Sequence, residues 1–191
     1  MNKAELRKIY LQKRQTLSEA EYAQLNFQLY QQFFANIDLS FIKVIHTFLP
    51  IASKHEPDTW LIIDRLRREF PHIRISIPKT DSRSNILENF YFEGLHQLVT
   101  TAWGIQEPKQ GIPTETEKID LVLVPLLAFD KTGQRVGYGK GFYDRFLKDC
   151  KPDCIKAGLS FFEAEEKLED TTELDVPLDL CVTPSGIIKF V

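Results

Sequence analysis

Leu121-Val-Leu-Val-Pro-Leu-Leu-Ala-Phe-Asp-Lys-Thr-Gly-Gln-Arg-Val-Gly-Tyr-Gly-Lys-Gly-Phe-Tyr-Asp144 is the most informative stretch of this 191-residue chain. Its first four residues are an unbroken apolar run, the kind of strand that is covered on both faces in a parallel sheet. Its end, from Asp144 to Asp149, reads as helix. Between them, four of the nine glycines, Gly133, Gly137, Gly139 and Gly141, fall within nine residues. Such a loop reaches positive φ angles and brings backbone N–H groups close to a ligand. Nests of N–H groups and helix N-termini attract phosphates. Arg135 and Lys140 add cationic charge, and Asp144 supplies a carboxylate where a phosphate-bound Mg²⁺ could sit. No Gly-Lys-Ser/Thr follows at Walker A spacing, and Phe142 stands where a dinucleotide loop needs its third glycine. Phosphate binding therefore competes here with a solvated surface hairpin.

Outward from that stretch, strands alternate with helices. Lys3 to Thr16 reads as helix, and Ser18 with Glu21 fits a capping box opening a second helix to about Ala35. Val44 to Leu49 reads as a buried strand ended by Pro50. Pro57 suits a first helical position, and Ile62, Ile63, Leu66 and Phe70 give that helix an apolar side. Ile73 to Ile77 reads as a strand stopped by Pro78. Asn89 to Phe92 and Gln97 to Thr100 form a short β excursion, and Gly104 to Lys118 reads as loop. Ile155 to Leu159, Leu180 to Thr183 and Ile187 to Phe190 are late strands. The pattern predicts one α/β domain over residues 1–191, a three-layer α/β/α sandwich with a largely parallel, mixed central sheet.

Composition narrows the function. Hydrophobic residues make up 43% and charged residues 27%, with net charge −3, an ordinary globular profile. A pI of 5.8 argues against a general nucleic-acid footprint. No apolar run reaches the roughly 18 residues of a membrane helix, and the charged N-terminus lacks the apolar core of a signal peptide. Cys150, Cys154 and Cys181 form neither a disulfide framework nor a zinc pattern. His46, His55, His72 and His96 are scattered without ligand spacing. A cytoplasmic location, reduced thiols and a monomer binding small molecules, with no nucleic acid or membrane, are the expectations.

Several isolated residues have two readings. Lys3, Arg7 and Arg14 fall within an arc of ~40° on a helix, bordering the Leu6/Tyr10/Leu17 face. They point into a cleft edge, or form a solvated face. Glu56 lies in a strand-to-helix turn where Asp58 is the better cap; it serves a ligand or is solvated. Trp103 stacks on a heteroaromatic ligand or covers the core edge. Asp175 and Asp179 complete a cation site with Asp144, or are turn residues.

Together these residues resemble the 5-formyltetrahydrofolate cyclo-ligase family, also called 5,10-methenyltetrahydrofolate synthetase. Pro125 to Asp144 is similar to the family's most specific motif. Lys3-x-x-x-Arg7, Glu56-x-x-Thr59, Ile77-Pro-Lys79, Trp103-x-Ile105 and Asp175 add weaker matches in the same order. Leu126 stands where the family usually has Gly, Val136 replaces Leu and Phe142 replaces Tyr. The resemblance implies an ATP- and Mg²⁺-dependent ligase of one-carbon metabolism that closes 5-formyltetrahydrofolate to 5,10-methenyltetrahydrofolate. It implies that Lys3, Arg7, Arg135 and Lys140 meet the ATP phosphates, with Arg135 and Lys140 catalytic. The backbone of Arg135, Val136, Gly137, Tyr138, Gly139, Lys140, Gly141, Phe142 and Tyr143 would wrap those phosphates. Leu49, Glu56 and Trp103, with Tyr138 to Phe142, would bind the folate, and Asp144 and Asp175 would hold Mg²⁺. The competing expectation is a folate- or nucleotide-binding regulatory module of the same fold without turnover, which loss of either magnesium carboxylate would favour. Both are present.

Overall fold

The computed structural model describes residues 1–190. The chain opens with two helices, α1 (Lys3–Gln15) and α2 (Glu19–Asn36), each started by a capping box, at Asn2 with Glu5 and at Ser18 with Glu21. In a capping box two of the orphan N–H groups at the helix start are satisfied reciprocally. There follow β1 (Val44–Thr47), α3 (Trp60–Glu69), β2 (Arg74–Asp81), β3 (Ile86–Tyr91), β4 (Leu98–Thr100) and β5 (Gln106–Pro108). The second half holds β6 (Leu121–Val124), β7 (Ala128–Phe129), β8 (Arg135–Val136), α4 (Phe142–Asp149), β9 (Ile155–Leu159), β10 (Leu180–Thr183) and β11 (Gly186–Lys189).

Seven strands form one sheet in the order β11-β10-β9-β6-β1-β2-β3. The inner five are parallel, and β11 and β3 are antiparallel edges. Period-2 alternation divides the side chains between two faces. Along β6, Leu121 and Leu123 join the core that includes α2 and α3 residues such as Phe33, Ile63 and Leu66. Val122 and Val124 join the opposite core with Phe146 and Leu147 of α4. The sheet is therefore sandwiched, as the strand–helix alternation predicted. A third, smaller cluster seats Leu6 and Tyr10 of α1 on Leu127, Ala128 and Val136.

The order of strands decides where a ligand fits. From β1 the chain moves to β2 on one side, and later from β6 to β9 on the other. The order reverses between β1 and β6. In an open α/β sheet, the crevice outside the carboxyl ends of the strands at such a switch point is where ligands bind. The turn holding Glu56 follows β1, and the glycine-rich stretch follows β6.

Three local expectations need correcting. Pro57 is not the first helical residue, because α3 begins at Trp60. The Thr59 hydroxyl donates to the Phe48 carbonyl at 2.7 Å, and the Asp58 N–H donates to Asn26 at 2.8 Å, holding the segment out of the helix. Pro78 does not stop β2, which runs on to Asp81 and pairs with β3. The β1 ladder ends at Ser76, so Pro78 lies where β2 has β3 as its only partner in the sheet, and a missing N–H is tolerated there. The segment from Gly104 to Lys118 is not all loop: it contains β5, paired with β4, and a 3-10 turn at Thr116–Lys118.

Candidate functional site

The glycine-rich stretch folds back on itself before it opens. β7 and β8 pair antiparallel, and the fully buried Asp130 closes their turn. Its carboxylate accepts from the N–H groups of Thr132, Gln134 and Leu168 and from the Thr132 hydroxyl, at 2.7 to 3.0 Å. Beyond β8 the chain enters α4 through Gly141, at φ +70° with no side-chain cap. Among the described residues, the N–H groups of residues 137 to 144 donate to no protein acceptor. An uncapped helix start preceded by free N–H groups is an anion cradle, because partial positive charge concentrates at these donors.

Residues remote in sequence surround this cradle. From α1, Arg7 donates through Nε to the Gly137 carbonyl at 2.8 Å. A Cβ on Gly139, at φ +91°, would lie 3.3 Å from the Arg7 guanidinium, so only glycine lets the loop pass that close. Lys3 Nζ pairs with Asp175 at 2.6 Å. Arg14 is not a rim residue: it is buried, donating to the Leu126 carbonyl after β6 and, at 3.1 Å, to the Tyr138 hydroxyl. Lys140 is exposed at the loop tip and has no ion-pair partner among the described residues. Arg135, by contrast, is 8% exposed. It pairs with Asp144 at 2.7 Å and donates to the Val176 carbonyl.

Glu56 is buried at 3% exposure, against the solvated alternative. One carboxylate oxygen accepts from the Tyr138 hydroxyl and the other from the Ile51 N–H, both at 2.7 Å. Burial raises its pKa, and the Ile51 and Tyr138 hydrogen bonds with the Arg14 and Lys54 charges oppose the rise. The Tyr138 hydroxyl is pushed up by burial and by the charge of Glu56. Among the described residues the buried Tyr143 hydroxyl has no hydrogen-bond partner, and burial raises its pKa also.

The two carboxylates named as cation ligands lie in adjoining segments: the Val176 N–H, next to Asp175, donates to Asp144 Oδ1 at 3.0 Å. Burial pushes the Asp175 carboxyl up, but Lys3 and the Thr172 donors outweigh it and hold the pKa below the ordinary value. Each carboxylate uses a single oxygen on the protein, Asp144 Oδ1 and Asp175 Oδ2. Among the described residues no donor reaches the second oxygen of either, which suits an ion that takes one or two carboxylates and fills its shell with water and phosphate oxygens. Among the described residues, no cluster of three or more His, Cys, Asp or Glu side chains could hold a metal. Asp179 lies elsewhere, pairing with Lys156 at 3.0 Å.

Other candidates are placed differently. Leu49 and Val136 are core residues. Trp103 is 85% exposed in the turn between β4 and β5, with no aromatic partner among the described residues, so neither the core edge nor the cradle claims it. Phe142 and Tyr143 open α4. The sequence left unnamed two residues that shape the site. Asp130 is one, and the Asp-x-x-Gly pattern of a turn was its signal. Arg145 is the other: it donates to the Lys140 carbonyl at 2.6 Å and to the Asn85 carbonyl at 2.9 Å, tying the loop tip to the β2–β3 turn.

The chain as a whole has known relatives. A family model described as the 5-formyltetrahydrofolate cyclo-ligase family matches residues 1–184. The 5-formyltetrahydrofolate cyclo-ligase of Mycoplasma pneumoniae is 32% identical over 184 residues, covering 95% of this chain and 98% of that one. The mitochondrial 5-formyltetrahydrofolate cyclo-ligase of Arabidopsis thaliana is 26% identical over 168 residues, and the match spans 76% of this chain and 61% of the plant protein. The solved structure of Aquifex aeolicus 5,10-methenyltetrahydrofolate synthetase superposes with a TM-score of 0.84 at 31% identity, covering 100% of this chain and 93% of its own.

Proposed function

Because the chain belongs to the 5-formyltetrahydrofolate cyclo-ligase family, we propose that it uses ATP to close 5-formyltetrahydrofolate to 5,10-methenyltetrahydrofolate, releasing ADP and phosphate. The observation that carries the ATP half of this reading is the cradle of free N–H groups from residue 137 to the uncapped start of α4, with Arg7 and Lys140 beside it. The folate half rests on Glu56, a buried carboxylate at the same switch point. An ionised carboxylate only accepts hydrogen bonds, so it suits the N–H-rich edge of a pterin.

The chemistry needs activation because a formamide oxygen is a poor leaving group. The formyl oxygen attacks the γ-phosphorus. An O–P bond forms, the bond to the β-phosphate oxygen breaks, and ADP departs. N10 of the folate then attacks the carbon of the resulting iminium phosphate and gives up its proton, and the phosphate leaves with the former formyl oxygen. Phosphoryl transfer asks of a protein mainly positioning and neutralisation of charge. The N–H groups of residues 137 to 144 hold phosphate oxygens, and Lys140, paired with no carboxylate among the described residues, balances charge that develops on the transferred group. Arg7 fixes the loop through the Gly137 carbonyl and turns its remaining N–H edge to the phosphates. Arg135 holds Asp144 in place. Asp144 and Asp175 fit as the residues that would hold Mg²⁺, which supplies further neutralisation of phosphate charge when bound. Glu56 orients the pterin, and the exposed Trp103 ring is the surface on which the folate packs.

The test is incubation with 5-formyltetrahydrofolate and Mg-ATP while the methenyl absorbance is followed. An ATP-dependent rise is expected. No rise with ATP present would reject turnover and leave a binding module.

A further inference from the structure

We infer that Arg14, outside the glycine-rich motif, is the positioning residue that holds Glu56 ionised and aimed, acting through the Tyr138 hydroxyl. The inference deepens the assignment of Glu56 as the pterin-binding carboxylate and rests on it for its catalytic meaning.

The geometry is a relay of three groups. Arg14 Nη1 donates to the Tyr138 hydroxyl oxygen at 3.1 Å, and that hydroxyl donates to Glu56 Oε1 at 2.7 Å. A hydroxyl that accepts from a guanidinium is a better donor to a carboxylate, because each bond polarises the next. Arg14 and Glu56 are 2% and 3% exposed, and among the described residues neither is in a direct ion pair. An isolated buried charge is costly. The two therefore compensate each other at one remove, which leaves Glu56 oriented and its charge not cancelled by contact.

Arg14 is itself immobilised. Its Nη2 donates to the Leu126 carbonyl, and its own backbone carbonyl meets His55 Nδ1 at 2.9 Å. His55 precedes Glu56, sits at φ +45° and stacks on Tyr22 at 4.9 Å. Tyr22 in turn donates to the Glu56 carbonyl at 2.5 Å. Backbone and side chain of Glu56 are thus both referred to α1 and α2. The charged and titratable groups that face it are Arg14 from α1, Tyr22 from α2, Lys54 and His55 on its own turn, Tyr138 from the loop and Tyr143 from α4. Asp58 is nearby on the entry to α3, its carboxyl raised by burial. Of the cations, Lys54 lies over the Tyr138 ring at 4.2 Å, on a half-buried surface turn. Arg14 alone is fully enclosed with Glu56, where a charge is least screened.

The test reads Glu56 directly and needs no turnover. The carboxyl ¹³C shift of Glu56, assigned by its loss in Glu56→Gln, is followed against pH in the free protein. Arg14→Met should move the midpoint up by about one pH unit or more, the range expected when an opposite charge is removed from a buried carboxylate. Arg14→Lys should recover most of that shift, and Tyr138→Phe should give a smaller rise with the charge still present. In turnover, the folate KM of Arg14→Met should climb as pH falls through the raised midpoint, with the ATP KM unchanged. An unmoved midpoint in a folded Arg14→Met protein overturns the inference. If that variant does not fold, an unmoved midpoint in Tyr138→Phe does so. A moved midpoint in a protein without turnover would instead sustain the relay and reject the enzyme assignment.

Discussion

Replacing Gly139 by Ala tests whether the loop's glycines are there for close approach. Gly139 has φ +91°, and an added Cβ would lie 3.3 Å from Arg7 Cζ and Nη2. A non-glycine residue in such a conformation costs about 1–3 kcal/mol. The contact adds to this because Arg7 is fixed through the Gly137 carbonyl and cannot swing away freely. A loss of about 2 kcal/mol in a domain of this size lowers the melting temperature by roughly 4–8 °C. Gly137 is the internal control. Its φ is not positive and a Cβ there meets nothing within 4 Å, so Ala should be neutral or stabilise by about 0.4–1 kcal/mol through the unfolded chain. The assay is a thermal melt of both variants without nucleotide, followed by ATP titration. Gly139→Ala should also weaken ATP binding, on the order of tenfold for the roughly 1.4 kcal/mol lost when the Arg7 edge is displaced. Equal melting temperatures for the two variants, or a lower one for Gly137→Ala, would refute the close-approach argument.

Lys140→Ala should lose on the order of 10²-fold in turnover with an unchanged melting temperature, because among the described residues the Lys140 side chain has no hydrogen-bond or ion-pair partner and the one hydrogen bond to the residue, from Arg145, is to its backbone carbonyl. Arg135→Ala should also destabilise by roughly 3 kcal/mol, since it leaves Asp144 and the Val176 carbonyl without their buried partner; paired melts and rates separate the two behaviours. Burial pulls the His46 imidazole from 6.5 down to about 4, so the folded protein holds it neutral. Its contribution is present above pH 6.5 and is lost as pH falls towards 4, by about 3 kcal/mol in total; urea unfolding across that window should show the slope in the parent and a flatter one in His46→Gln. Asp144→Asn and Asp175→Asn should each raise the Mg²⁺ requirement for turnover, with the double change costing less than the sum, as residues sharing one ligand do; full additivity would make Asp175 a turn residue.

What the sequence revealed followed from periodicity and residue type. Leu121 to Val124 reads as a doubly buried strand because nothing in it is polar, and the capping box at Ser18 marks a helix start with local chemistry, whereas the one at Asn2 emerged only from the structure. The arc of Lys3, Arg7 and Arg14 on α1 was visible, but a helical wheel gives a direction and not a partner. That Arg14 is enclosed while Lys3 meets Asp175 depends on contacts across 124 to 172 positions, which no local pattern carries. Arg135 illustrates the same limit. Its place among glycines marked it as a cation beside a phosphate-type loop, but did not show that α4 brings Asp144 onto it. The β7–β8 ribbon has two residues per strand, too few for alternation to register. Pro78 misled because a proline ends a strand only where both edges need donors.

On the proposed mechanism, the formyl oxygen is phosphorylated by ATP in the cradle before ring closure. The most direct test is turnover of 5-formyltetrahydrofolate carrying ¹⁸O in the formyl group, with Mg-ATP, followed by mass analysis of the released inorganic phosphate. The account predicts one ¹⁸O atom in each phosphate formed. Label found in water, with unlabelled phosphate, would contradict it.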